Sequence, residues 1–266
     1  MNKKYLIIII SALFGATSCN KYLDAVPDRS LTIPTTLQDM SALLDNDIIA
    51  IYGNPALGEI GSDDYYLEYT TYQSRTPLIA RNAYTWQTDV FQGNTVTDWD
   101  FPYRAVYYSN VVLDNLGSIQ INTANQTTFN WVKGRALFYR AFAFYNLAQL
   151  FAKPYIPKTA ATDLGIPLRL DADLNTKSVR STVQQTYDQI IKDLMEAKDL
   201  LPLQVSTNRP NNPSKASAFA MLARVYLSIQ DYENALTFAD STLLLDSALI
   251  DYNTVDITRM HSFPFP

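Results

Sequence analysis

The sequence predicts a mainly α-helical protein made of stacked helical hairpins with irregular loops between them. Apolar residues recur with a helical period through several long stretches after residue 97. Hydrophobic residues occupy 47% of the 266 positions, which is enough for a sizeable core. The eight glycines are few for an all-β protein with many tight turns, and the single cysteine excludes an intramolecular disulfide. Packing of the helices must therefore stabilise the fold.

The N-terminus has the three-part pattern of a secretory signal peptide. Two lysines are followed by the apolar run YLIIIISALFG and then by three small residues directly before Cys19. This run is shorter than the about 20 apolar residues that span a bilayer. Because the sequence around Cys19 resembles a bacterial lipobox, we predict that residues 1–18 are a lipoprotein signal peptide and that Cys19 carries lipid. The alternative for Cys19 is an ordinary buried cysteine.

Two less regular segments come before the long helices. Thr35 or Thr36 is a suitable N-cap for a short first helix. The apolar positions of this helix follow at helical spacing: Leu37, Met40 and Leu44. Residues 52–95 mix Gly, Asn, Asp and Pro with many tyrosines and show no sustained period. We interpret them as loops with short strands around Ala83–Val90.

The first long helix is predicted to start at Thr97 or Asp98. Its apolar face carries Trp99, Tyr103, Val106, Asn110 and Leu113. Since Asn110 lies within this face, we expect a hydrogen-bonded core amide rather than a ligand-binding group. The second helix runs from about Thr128 to Phe151, and apolar residues on two of its faces predict that it is buried between neighbours.

Three further helices follow a long connection. Residues 152–180 are rich in proline and polar side chains, which predicts an excursion over the surface. Thr182 and Gln185 form a capping box that opens the third helix, which ends at Pro202. Ser214 is predicted to cap the fourth helix, and the fifth follows Asp231.

The fourth and fifth helices have the pattern of a tetratricopeptide repeat. Ala223, Tyr226 and Ala235 occupy the small, aromatic and small positions of such a unit. A small residue on each helix lets the two backbones approach closely, and the tyrosine fills the groove between neighbouring pairs. A generic antiparallel hairpin is the alternative.

Several classes of chemistry lack the residues that they need. The only histidine, His261, lies in the proline-rich C-terminus, and the only cysteine is assigned to lipid, so Ser–His or Cys–His catalysis and a zinc site are excluded. The segment DADLN at 171–175 lacks the Gly and Glu of a calcium loop and is interpreted as solvated. We therefore predict no metal and no cofactor. The net charge of −5 argues against a nucleic-acid partner.

A glycosidase would need two carboxylates, and one cluster offers them. Asp63, Asp64 and Glu68 lie close to three tyrosines in GSDDYYLEY. The alternative for this segment is a polar loop that is packed by its tyrosines.

Several stretches together resemble the SusD/RagB family of outer-membrane nutrient-binding lipoproteins. They are Cys19 with NKYLDAVP after it, YTW, WDFPYRAVYYSNVVLDNL, VKGRALFYRAFAFYNLAQLFAKPY, GIPLRL and NRPNNPSKASAFAMLARVYLSIQDYENAL. The resemblance implies a SusD-like, tetratricopeptide-like scaffold at the cell surface. Such a protein is lipid-anchored to the outer membrane, covers a SusC-like TonB-dependent transporter and captures oligosaccharides for import. Family members are usually much longer, so we expect residues 19–266 to be a SusD-like helical domain without the C-terminal part of the family fold.

Sugar capture requires flat aromatic faces and planar hydrogen-bonding groups. Trp86, Asn94 and Arg81 supply these types in an irregular stretch, and the family resemblance implies glycan contacts from the same loop region. We predict these three residues as glycan-binding, with packing of the loop on the helices as the alternative for Trp86. The predicted function is non-enzymatic glycan binding. A peptide-binding RagB-like subunit, a surface glycosidase and a scaffold for a protein partner remain as alternatives.

Overall fold

The computed structural model of the chain describes residues 34–46, 49, 54–75, 77–204, 211–249 and 251–254. The predicted signal peptide, Cys19 and His261 lie outside the described residues. The chain divides into two compact units, residues 1–34 and residues 35–266. All elements below belong to the second unit.

The short first helix begins where its capping residue predicts. Helix α1 spans Leu37–Leu44, and Thr36 is its N-cap. The Thr36 hydroxyl accepts from the backbone N–H of Asp39 at 3.1 Å, and the Asp39 carboxylate accepts from the Thr36 N–H at 3.1 Å. This reciprocal pair satisfies two N–H groups at the helix start. Met40 and Leu44 are fully buried, as their spacing predicts.

Residues 54–95 contain short helices where the sequence analysis expected loops and strands. Helices α2, α3 and α4 span Leu57–Ile60, Tyr69–Ser74 and Leu78–Tyr84. The prediction of strands around Ala83–Val90 is wrong, because Ala83 lies in the last turn of α4 and the residues after it form turns. Helices of one or two turns are too short to show a hydrophobic period, so the pattern gave no signal for them.

Three long helices form the centre of the core. Helix α5 spans Thr97–Leu116, α6 spans Gln126–Phe151, and α7 spans Val183–Leu200. Helix α6 packs against both α5 and α7, and its buried residues lie on all faces of its middle part. Its start lies two residues before the predicted Thr128. The predicted burial of α6 between neighbours is therefore confirmed.

The connection between α6 and α7 was predicted to run over the surface, but parts of it are buried. It contains strands β1, Leu164–Pro167, and β2, Arg180–Thr182, which pair antiparallel with Leu164 opposite Thr182. Ala160 and Ile166 are almost completely buried beneath it. Apolar residues at these two positions, within an otherwise polar segment, fasten the connection to the helical core.

The last two long helices form a hairpin. Helix α8 spans Lys215–Ser228 with Ser214 as its N-cap, and α9 spans Tyr232–Leu245 with Asp231 as its N-cap. The rings of Tyr226 and Phe238 stack at 5.5 Å with an interplanar angle of 3°, and Ala235 is buried in the same hairpin. A short 3₁₀ turn follows at Tyr252–Thr254. The predicted mainly α fold with stacked helical hairpins is confirmed.

Candidate functional site

Exposed aromatic side chains cluster on the segment that carries α2 to α4. We call this group the aromatic surface, and it consists of Tyr65, Tyr66, Tyr69 and Trp86, with exposed fractions of 42%, 76%, 71% and 76%. Two of its members donate hydrogen bonds to the backbone carbonyls of consecutive residues. The Tyr65 hydroxyl donates to the carbonyl of Ile60 at 2.8 Å, and the Trp86 indole Nε1 donates to that of Gly61, also at 2.8 Å. Tyr65 and Trp86 are therefore attached to the same end of α2.

A second layer of aromatic rings supports this surface from helix α4. The ring of Tyr84 lies 5.8 Å from that of Tyr65 and 6.0 Å from that of Tyr72. The Tyr84 hydroxyl also accepts from the backbone N–H of Leu67 at 2.8 Å, so it holds the loop between α2 and α3. Burial raises the pKa of Tyr65 above its ordinary value, and the nearby Tyr84 adds to the shift. Tyr65 thus keeps its proton and remains a donor to Ile60 near neutral pH.

Two side chains hold the surrounding backbone in place. The carboxylate of Asp98, in the first turn of α5, accepts from the backbone N–H groups of Ala56 and Leu57. This contact fixes the start of α2 on the helical core. Asn82 is buried, and its side-chain nitrogen donates to the carbonyl of Val90 at 3.1 Å. The backbone carbonyl of Asn82 accepts from the backbone N–H of Gln87 at 2.9 Å, so Asn82 closes the turn that carries Trp86.

Trp86 has an unusual backbone conformation for an aromatic residue. Its φ of 53° lies in the left-handed region, where residues with a β-carbon are uncommon and glycine is favoured. Only the edge of the indole is fixed, through the bond to Gly61, and most of the ring is exposed. The predicted alternative, in which Trp86 packs the loop on the helices, thus applies to the nitrogen edge of the indole. The rest of the ring is exposed and can meet a ligand.

The structure places Arg81 and Asn94 in different settings, and no hydrogen bond or ring contact between described residues joins either of them to Trp86. Arg81 lies in the last turn of α4, its guanidinium stands 5.7 Å from the ring centroid of Tyr72, and its Nε is buried without a hydrogen-bond partner. Asn94 is exposed and donates to the carbonyl of Phe91 at 2.9 Å. No hydrogen bond or ring contact between described residues joins Asn94 to Arg81 or Trp86.

The sequence analysis missed part of this site. It noted the tyrosines of GSDDYYLEY only as packing groups, which is correct for Tyr65 but does not describe Tyr66 and Tyr69. Asp63 and Asp64 are exposed, so the carboxylates of this loop lie in water. The available signal was the presence of three acids among the three tyrosines of this short segment, because a loop with so many charges cannot bury all of its rings.

A buried polar network supports the connection between α6 and α7. Asn110 is fully buried; its side-chain nitrogen donates to the carbonyls of Arg169 and Asp171 at 2.9 Å each, and its oxygen accepts from Arg140 at 2.9 Å. The prediction of a core amide is confirmed. Tyr103 donates to the carbonyl of Pro167 at 2.8 Å, and burial raises its pKa well above the ordinary range.

The segment 171–175 is stabilised by an arginine. The Arg169 guanidinium donates to the carbonyls of Asp173 and Thr176. The Asp173 carboxylate accepts from the side chain and the backbone of Asn175, and these bonds lower its pKa. Within the described residues, no three His, Cys, Asp or Glu side chains lie close enough together to hold a metal ion.

Comparison with known proteins identifies a family for most of the chain. A family described as "Starch-binding associating with outer membrane" matches residues 21–227. A SusD-like protein of Formosa agariphila is 34% identical over 139 residues, which cover 52% of this chain and 25% of that protein. A second SusD-like protein of the same organism is 22% identical over 258 residues, covering 89% and 45% of the two chains. This chain therefore spans less than half the length of these relatives.

Solved structures share the fold. A SusD superfamily protein of Bacteroides fragilis superposes with a TM-score of 0.65 at 24% identity, covering 79% of this chain and 50% of the other. A laminarin-binding SusD-like protein superposes with a TM-score of 0.61 at 17% identity, covering 77% and 43%. In the described part of the chain, no helix combines the length and the hydropathy that a membrane crossing requires. The extent of the family match, together with the shared helical fold, shows that this chain belongs to the SusD/RagB family.

Proposed function

We propose that this protein is a surface-exposed glycan-binding lipoprotein that captures oligosaccharides for a SusC-like TonB-dependent transporter in the outer membrane. The observation that carries the proposal is the aromatic surface, and above all the exposed indole of Trp86. The family description as starch-binding and outer-membrane-associated supports it, as does the laminarin-binding relative with the same fold.

The aromatic surface suits a sugar better than it suits a charged ligand. One face of a pyranose ring presents mainly C–H groups, and these stack on aromatic rings. The polar atoms of the surface already have partners within the protein: Tyr65 bonds to Ile60, Trp86 to Gly61, and Tyr69 accepts from Gln73 at 2.7 Å. The rings are therefore held in place by their edges and offer their faces to a ligand.

We further propose that the protein binds its glycan without cleaving it. A glycosidase needs one carboxyl group that stays protonated, and burial is the usual means of achieving this. Asp63 and Asp64 are exposed, and Glu68 accepts a 3.3 Å hydrogen bond from the exposed Tyr66. None of these three carboxyl groups lies in the buried setting in which a general acid is found.

Attachment to the membrane is proposed to depend on Cys19. The chain is acidic, so anionic headgroups would repel its body, and acyl chains must supply the affinity. Palmitate labelling of the wild-type protein and of Cys19→Ser tests this step. We expect the label and the membrane fraction to be lost together in the variant. A Cys19→Ser protein that stays in the membrane fraction would overturn the anchoring proposal.

Calorimetry with the full chain in detergent tests the binding proposal. Maltoheptaose represents starch, laminarihexaose represents laminarin, and a mixture of short peptides represents a RagB-like ligand. We expect one oligosaccharide to bind, and we expect Trp86→Ala to weaken that binding about five- to 150-fold, the equivalent of the about 1–3 kcal/mol that stacking of a nucleic-acid base on one aromatic ring contributes. Tyr232→Ala is the matched control, because Tyr232 is 66% exposed on α9, away from the aromatic surface.

Two results would contradict the proposal. Binding of peptides without binding of either sugar would replace it with peptide uptake. Release of reducing sugar from either oligosaccharide, lost in Asp63→Asn or Asp64→Asn, would replace it with glycoside hydrolysis.

A further inference from the structure

We propose that Gly61 is a positioning residue for Trp86: its carbonyl and its lack of a side chain fix the indole in the orientation that a sugar ring requires. This inference rests on the proposed function, because it concerns how the aromatic surface reaches its affinity. Gly61 itself presents no group to a ligand.

Gly61 lies where two helix ends approach closely. It is the C-cap residue of α2, and a β-carbon at this position would lie 3.3 Å from the carbonyl oxygen of Leu57 and 3.4 Å from that of Ala83. Both neighbours are backbone atoms, which cannot move away as a flexible side chain can. The last turn of α2 must therefore shift by a few tenths of an ångström to admit a side chain at residue 61, since the tight contact is with the carbonyl of its own Leu57. The added β-carbon would also touch Ala83 and would lie 3.8 Å from the Trp86 indole Nε1, both ordinary van der Waals distances.

The same carbonyl of Ala83 is part of the turn that carries Trp86. It accepts from the backbone N–H of Trp86 at 3.1 Å, directly before the chain adopts the left-handed conformation at φ 53°. The indole then returns toward α2, and its Nε1 donates to the carbonyl of Gly61 at 2.8 Å. Gly61 thus bonds to the Trp86 side chain, and a β-carbon on it would touch the backbone of the same turn, although 25 positions separate Gly61 from Trp86 in sequence.

This arrangement determines which part of the indole meets a ligand. Indole has one N–H donor and no acceptor, and here the donor is already bonded to the protein. The ligand therefore meets the ring face, whose orientation is set before binding, so the ordering of this side chain does not reduce the affinity. The surface should favour the C–H-rich face of a pyranose over groups that need an indole donor.

A double-mutant cycle tests the role of Gly61. The variants are Gly61→Ala, Trp86→Phe and the combination of the two, and the ligand is whichever of maltoheptaose and laminarihexaose binds the wild type more tightly. Gly61→Ala disturbs the acceptor, and Trp86→Phe removes the donor while keeping an aromatic face. We expect each single variant to weaken binding about three- to tenfold, as loss of preorganisation at one side chain predicts. The double variant should bind no more weakly than Trp86→Phe alone.

Gly58→Ala is the matched control. Gly58 lies in the same short helix, but its added β-carbon meets only the flexible end of Leu150, at 3.6 Å. This variant should bind like the wild type. If Gly61→Ala has no effect in the wild-type background, or the same effect in the Trp86→Phe background, the proposal is overturned.

A second measurement keeps this inference separate from the proposed function. In ¹⁵N-labelled protein, the indole N–H resonance of Trp86 is identified by its loss in Trp86→Phe. Its exchange with water should be faster in Gly61→Ala and unchanged in Gly58→Ala. If the wild type binds neither oligosaccharide, the proposed function fails, and the exchange rate still decides whether Gly61 holds the indole. Equal exchange rates in wild type and Gly61→Ala would overturn the inference even if sugar binds.

Discussion

Arg140 and Asp193 form a two-point ion pair inside the helical core. Nε and Nη2 of the guanidinium donate to the two carboxylate oxygens at 2.7 and 2.8 Å, and both residues are buried. The remaining nitrogen, Nη1, bonds to Asn110, and Gln189 donates to Asp193 at 2.8 Å. One network thus joins α5, α6 and α7, and through Asn110 it reaches the connection that carries the β-strands.

Removal of one partner of this pair should destabilise the protein strongly. Asp193→Asn leaves the Arg140 charge buried without a counter-ion, and breaking a buried pair typically costs about 3–5 kcal/mol. Urea denaturation should show this loss in the free energy of unfolding. Lys133→Ala serves as the control, because Lys133 pairs with Glu196 at the surface and such pairs contribute about 0–1 kcal/mol. Similar losses in the two variants would contradict the importance of the buried network.

Asn110 should govern the order of the connection between α6 and α7. Asn110→Leu keeps the volume but leaves the carbonyls of Arg169 and Asp171 without their donor, and each such loss costs about 1–3 kcal/mol. Hydrogen exchange of peptides from residues 164–178 should accelerate more than exchange in α9. Uniform acceleration in both regions would show that Asn110 acts on global stability and not on this connection.

Stability at high pH should depend on Tyr187. Burial, followed by the proximity of Tyr145, raises the pKa of Tyr187 from 10.0 to about 12. The folded protein therefore keeps a proton that the unfolded chain releases. This contribution is fully present below pH 10 and is lost as the pH rises from 10 to about 12.

Urea denaturation at several pH values measures the effect of Tyr187. The free energy of unfolding should fall more steeply between pH 10 and 12 in the wild type than in Tyr187→Phe. Equal slopes would show that Tyr187 does not titrate in this window.

Substitution of Trp86 should weaken sugar binding with little change in stability, whereas substitution of Trp99 should lower stability. Trp86→Gly relieves a left-handed backbone strain of about 1–2 kcal/mol and loses one hydrogen bond of about 1 kcal/mol, so the net change in unfolding free energy should be small. Trp99 is partly buried and contacts Tyr103 at 4.8 Å and Phe151 at 5.0 Å between ring centroids, so Trp99→Ala should cost a large part of the about 3–5 kcal/mol of a fully buried ring. Thermal denaturation and sugar titration of both variants test this contrast. A large stability loss in Trp86→Gly would assign that tryptophan a structural role.

The long helices could be predicted because each carries its own signals. Thr182 and Ser214 both form the capping boxes that open α7 and α8, and the apolar period continues for several turns behind them. Helices α2 to α4 have one or two turns, so no period can develop in them. Their positions depend on contacts distant in sequence, such as that between Asp98 and the start of α2.

The candidate site could be predicted by residue type but not by its geometry. Trp86 and Arg81 could be predicted because flat aromatic and planar cationic groups suit sugars. Gly61 accepts at its backbone carbonyl from a residue 25 positions away, Asn82 donates from its side chain to a backbone carbonyl, and a sequence pattern does not record such contacts. The left-handed backbone at Trp86 could not be predicted either, because tryptophan is rarely found in this conformation.

The central position of α6 has a consequence for the order in which the chain acquires structure during synthesis. This helix packs against α1, α5, α7, α8 and β1, yet it ends only at Phe151. Until that residue has left the ribosome, α1 and α5 can pack on each other but lack α6, which contacts both of them. We therefore expect nucleation to involve α6 with its two neighbours in sequence, α5 and α7, and α1 to gain its structure late although it is made first.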